Sequence, residues 1–80
     1  MYHWDMPFWV YEENGGWIHP DTVDYFLEYA KIITEELDDL VDVWVTLNEP
    51  MCSAYLGYYL GLHAPGHKSL EEYFKATHYI

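Results

Sequence analysis

The chain has 80 residues, is 51% hydrophobic and 20% aromatic, and carries 14 acidic against 3 basic residues, a formal net charge of −11; this bounds it to one small domain, or a piece of a larger one, with a marginal core. Four Trp, nine Tyr and three Phe argue against disorder, and the negative charge repels phosphate, which excludes nucleic acid as a partner. No apolar run approaches the roughly 18 residues of a membrane span, Asp5, Glu12 and Glu13 interrupt any N-terminal signal, and the lone Cys52 excludes an internal disulfide, so no membrane partner and a reducing, cytoplasmic location are expected.

Tyr2-His3-Trp4-Asp5 is short and β-prone, and Pro7 stops it. Residues 8 to 19 read as irregular, with a turn at Gly15-Gly16. His19-Pro20-Asp21 then signals a helix start, with Asp21 as the expected N-cap. Val23, Phe26, Leu27, Ala30, Ile33 and Leu37 recur at helical spacing, which predicts a helix from 21 to 38 or 39. The acidic run Glu35, Glu36, Asp38, Asp39 and Asp42 reads as a solvated helix end and turn. It opposes the helix dipole there, and Lys31 offsets little of that cost. Val41 to Leu47 is β-branched, alternates with period two, and predicts a strand that Asn48-Glu49-Pro50 ends. Residues 51 to 60 read as a weak helix that Gly57 interrupts, and 61 to 69 as a loop around Ala64-Pro65-Gly66. Ser69 caps a last helix from Leu70 to Ile80, with Glu71 and Glu72 in its first turn.

The order is strand, loop, helix, strand, loop, helix. Such alternation implies an α/β fold with parallel strands and right-handed crossovers. No linker divides the chain, so residues 1–80 form a single segment. Two βα units alone leave open edges. A complete (β/α)8 barrel takes about 250 residues, so the simplest account is two consecutive βα units of a larger sheet or barrel.

In α/β barrels the chemistry sits at the C-terminal ends of the strands. His3-Trp4-Asp5 ends the first predicted strand and Asn48-Glu49 the second. Parallel neighbours lie about 4.8 Å apart, so both clusters can line one pocket. His3, Trp4, Asn48 and Glu49 suit a polyol: amide, imidazole and carboxylate bond hydroxyls, and an indole gives a platform for a sugar face. A Glu walled by aromatics becomes a weaker acid, as a general acid near neutral pH requires. Asp5 and Glu49 also read as a carboxylate pair of the retaining type, about 5–5.5 Å apart. Equally, Asp5 turns away to brace the loop, and residue types alone leave both readings open.

Thr46-Leu47-Asn48-Glu49-Pro50 resembles the acid/base signature of glycoside hydrolase family 1, the β-glucosidase and β-galactosidase family. His3-Trp4-Asp5-Met6-Pro7 is similar to that family's HWD-x-P motif. Gly15-Gly16-Trp17, the stretch Asp21 to Ala30, and Gly57 to Gly66 match further segments in order and spacing. The resemblance implies a (β/α)8 TIM barrel, of which this chain would be the third and fourth βα units, hydrolysing β-glycosides with retention. It implies Glu49 as general acid/base, Asn48 as donor to the sugar 2-hydroxyl, and His3 and Trp4 as binders of the non-reducing sugar. Asp5 is then structural. No metal or organic cofactor is implied, because two carboxylates and water suffice.

The family's nucleophile motif does not occur here. Glu13-Asn14-Gly15 mimics it but lacks an apolar strand before it. The isolated chain is therefore expected to be inactive, with the rest of a barrel as its partner, either as one polypeptide or as a split enzyme. A different class is a sugar-binding module without turnover. Other residues read more plainly. His63 and His67 flank Ala64-Pro65-Gly66, which will not be helical, so a zinc site there is remote. Cys52 reads as a small packing residue, Trp17 as a loop anchor, and Tyr55, Tyr58 and Tyr59 as packing and surface.

Overall fold

Pro7 and Gly15 delimit a helix that the sequence reading missed. The computed structural model, which describes residues 1–80, places α1 at Phe8–Asn14, where an irregular stretch is expected from sequence. Its aromatic and β-branched residues are weak helix formers. The ends hold it: Pro7 fixes the entry, and Gly15, in the left-handed region at φ 80°, donates its N–H to Tyr11 O at 2.8 Å.

Helix α2 spans Asp21–Leu37 and closes in a 3₁₀ turn over Asp38–Leu40. Pro20, not Asp21, occupies the cap position, and no side chain caps this end. Instead Asp21 N–H donates to His19 Nδ1 at 3.3 Å, and the buried Thr22 hydroxyl bonds Gly16 O and Asn14 Oδ1. The predicted apolar face packs only in part. Phe26 reaches the core, while Leu27 and Leu37 are exposed because no neighbour covers them.

Neither predicted strand forms. Tyr2 and Leu47 make one isolated parallel bridge, with Tyr2 N–H donating to Thr46 O at 2.9 Å and Asn48 N–H to Tyr2 O at 3.0 Å. The parallel sense expected of an α/β chain is present, but the two βα units reduce to this bridge on an otherwise helical molecule. The physical reason lies on both sides. Trp4 and Glu49 turn into left-handed backbone directly after the pairing. Val43 and Val45, 77% and 65% exposed, have no second strand against them, and an extended segment paired at one point is not a stable sheet.

Where a weak α-helix is expected, Cys52–Tyr59 is a π-helix. Leu60 N–H closes its end on Tyr55 O at 3.0 Å. The carbonyls beyond take partners from the following loop: His63 N–H reaches Leu56 O, His67 N–H reaches Gly57 O, and Ser69 N–H reaches Tyr58 O. Helix-end carbonyls are thereby satisfied without the usual four-residue spacing. Gly57 permits the close approach, since a Cβ there would lie 2.6 Å from Ala64 O. Helix α3 (Leu70–Tyr79) starts as predicted, with Ser69 Oγ accepting from Glu72 N–H at 3.2 Å, and packs on the π-helix.

Tyr2, Trp17, Ala54, Tyr58 and Ala76 form the buried cluster. It joins the first residues, the Gly-Gly turn, the π-helix and α3. The radius of gyration is 13.2 Å, against about 11.6 Å for a compact chain of this length. The molecule extends 41 Å along its major axis, and the C-terminal half of α2 is exposed along most of its length. No helix is long and apolar enough to cross a membrane.

Candidate active site

The Tyr2–Leu47 bridge sets His3-Trp4 beside Asn48-Glu49, because each pair directly follows a bridged residue. The structure therefore brings His3, Trp4 and Asn48 into contact, with Glu49 next along the chain. Trp4 Nε1 donates to Asn48 O at 2.9 Å. Asn48 Nδ2 lies 3.4 Å from His3 Nε2. The His3 and Trp4 ring centroids are 5.0 Å apart, and His63 packs on the Trp4 indole with centroids at 5.6 Å. Trp4 and Glu49 are the two non-glycine residues at positive φ, 73° and 42°. Left-handed backbone on such residues is strained and concentrates at functional sites.

The surroundings of Glu49 differ from the expected aromatic wall. Its side chain is exposed, as is that of His3. A cavity of about 310 Å³ lies against Trp4, Asp5, Tyr11, Trp17 and Tyr58, but neither His3, Asn48 nor Glu49 lines it. Asp5 lines that cavity and Glu49 does not. The carboxylate of Glu49 instead meets Cys52, whose thiol donates to Glu49 Oε2 at 3.4 Å. Burial first, then the hydrogen bond and the charge of Glu49, push the Cys52 thiol up from its ordinary pKa. Cys52 is thus a protonated donor at neutral pH and a poor nucleophile.

Sequence reasoning missed two of these contacts. The Cys52–Glu49 contact spans three residues across a helix start, a spacing at which side chains meet. The position of His63 against Trp4 has no local signal, since it depends on the path of the loop after the π-helix. His67 is bound elsewhere, with Nδ1 at 2.7 Å from Glu72 Oε2 and Nε2 at 2.8 Å from the Tyr11 hydroxyl. His63 and His67 therefore share no site, and no group of three His, Cys, Asp or Glu side chains is placed to hold a metal ion. Trp17 is an anchor, 3% exposed, whereas Trp9 is half-exposed.

Imidazole, indole, amide and carboxylate thus gather on one edge at the end of a parallel pairing. Comparison with known proteins supplies the class. The family described as Glycosyl hydrolase family 1 matches residues 1–80. Beta-glucosidase A of Acetivibrio thermocellus is 45% identical over 78 residues, covering 98% of this chain and 17% of that protein. Beta-glucosidase A of Thermotoga maritima is 41% identical over 78 residues, with 98% and 17% covered. A crystal structure of a beta-glucosidase from Exiguobacterium marinum superposes with a TM-score of 0.94 at 54% identity, over 99% of this chain and 18% of that one. The chain belongs to glycosyl hydrolase family 1. It spans less than one fifth of the length of these relatives.

Proposed function

We propose that this chain carries the acid/base half of a retaining β-glycosidase site, on a segment of a (β/α)8 barrel. The observation that supports it most is the meeting of His3-Trp4 and Asn48-Glu49 across the Tyr2–Leu47 bridge. Glu49 is the residue assigned to protonate the glycosidic oxygen and then to activate water. Asn48 donates from its amide to the sugar 2-hydroxyl, a contact that strengthens as positive charge develops on the ring. His3 bonds a hydroxyl of the same sugar, and Trp4 offers its ring face. The likeness to beta-glucosidases supports a β-glucoside or a closely related β-glycoside as substrate.

Retention requires a second carboxylate as nucleophile. The family's nucleophile motif does not occur among these residues, so on this reading the nucleophile belongs to the rest of a barrel, as does the wall that closes over Glu49. The test is an assay of the 80-residue chain against aryl β-glucosides, with calorimetry of glucoside binding alongside. No turnover above the uncatalysed rate is expected. Turnover by the chain alone, lost in Glu49→Gln, would show that it holds its own nucleophile and would overturn the two-part reading. Tight glucoside binding kept by Glu49→Gln, without turnover, would favour the sugar-binding module.

A further inference from the structure

Trp4 and Glu49 share an unusual backbone state and a hydrogen bond that links them. Neither is a residue type that visits the left-handed region readily. Such a conformation persists only when its surroundings hold it. For Glu49 the holding contacts are visible. Trp4 Nε1 donates to Asn48 O at 2.9 Å. That carbonyl belongs to the peptide group whose nitrogen is that of Glu49, so the bond fixes the plane about which φ of Glu49 is set. On the far side Cys52 N–H donates to Glu49 O at 2.8 Å. The Cys52 thiol then meets the Glu49 carboxylate itself. The indole in turn contacts the rings of His3 and His63.

We propose that Trp4 is a positioning residue for Glu49: its indole N–H, committed to the Asn48 carbonyl, holds the Glu49 backbone left-handed and so aims the carboxylate. The catalytic meaning of that aim rests on the acid/base reading of Glu49, but the positioning itself does not. A consequence is that the N–H of Trp4 is engaged within the protein and is not offered to a ligand.

Cys52 is a reporter that needs no glycoside. Its reactivity follows its thiolate fraction, which burial first and then the hydrogen bond and charge of Glu49 suppress. In the 80-residue chain, Trp4→Phe keeps a ring and removes the N–H. Alkylation of Cys52 by iodoacetamide at fixed pH is expected to accelerate roughly five-fold, the scale of one lost hydrogen bond. Glu49→Gln is expected to accelerate it as well. The double variant should react no faster than Glu49→Gln alone, because both changes act through one contact. In the unsubstituted chain, the indole proton of Trp4 should exchange with solvent more slowly than that of half-exposed Trp9. Equal exchange at Trp4 and Trp9 overturns the proposal whether or not the variant folds. So does an unchanged alkylation rate in a Trp4→Phe chain that keeps its near-ultraviolet circular dichroism. None of these readouts involves hydrolysis, so the positioning role and the glycosidase reading can fail separately.

Discussion

Tyr58 donates its hydroxyl proton to Gly15 O at 2.9 Å and accepts from Trp17 N–H at 3.0 Å, while 2% exposed. One phenol thus holds the turn that carries Trp17 into the core. Tyr58→Phe leaves a buried N–H unpaired, which costs about 1–3 kcal/mol; a smaller loss in urea unfolding would show that the turn holds itself. Gly16 is part of the same joint. At φ 75° a Cβ would lie 2.6 Å from the Tyr58 hydroxyl, so Gly16→Ala should destabilise by at least as much. Burial, opposed in part by the bond from Trp17 and reinforced by Tyr2, Tyr11 and Glu72, raises the Tyr58 pKa to about 12. The folded chain therefore keeps a proton that the unfolded chain loses near pH 10. Stability is full below pH 10 and falls between about 10 and 12, by roughly 2–3 kcal/mol. Tyr58→Phe should abolish that alkaline loss, as urea midpoints measured at pH 9 and 11 would reveal.

Elements with self-contained signals were legible in sequence, and those shaped by distant partners were not. Ser69 caps α3 through a bond three residues away, and its Oγ bonds Glu72 N–H as the pattern predicts. Ser69→Ala should cost about 1 kcal/mol, visible as lost helicity; no loss would mean that packing on the π-helix alone sets this end. By contrast, α1 is built from weak helix formers, and its legible signals were only Pro7 before it and Gly15 after it. The π-helix depends on carbonyls of Leu56, Gly57 and Tyr58 being claimed by His63, His67 and Ser69, which no local periodicity encodes. The predicted strand over 41–47 carried the right alternation, but alternation describes faces to be covered, and nothing covers Val43 or Val45.

At the scale of the molecule, the apolar faces of Leu40, Val43, Val45 and Leu62 stand open, 65–77% exposed. Exposed apolar surface of this kind is an association site. In spite of a net charge of −11, the chain should self-associate as its concentration rises, and the effect should grow when salt screens the repulsion. Concentration-independent monomer in sedimentation velocity would contradict this. The candidate site was legible where chemistry travels with short motifs, at His3-Trp4 and Asn48-Glu49. Its openness was not: Glu49 is exposed, and its carboxylate meets Cys52 rather than the aromatic wall expected.

On the proposed reading these 80 residues supply a working acid/base to a barrel that supplies the nucleophile. The direct measurement is to graft them in place of the matching segment of the Exiguobacterium marinum beta-glucosidase, which they overlay at a TM-score of 0.94. Turnover of aryl β-glucosides is then compared with and without Glu49→Gln. The graft should be active, and the substitution should cut turnover of a substrate with a poor leaving group by about 10²–10⁴, and far less when the leaving group departs unaided. A folded, active graft indifferent to Glu49→Gln with poor leaving groups would contradict that reading.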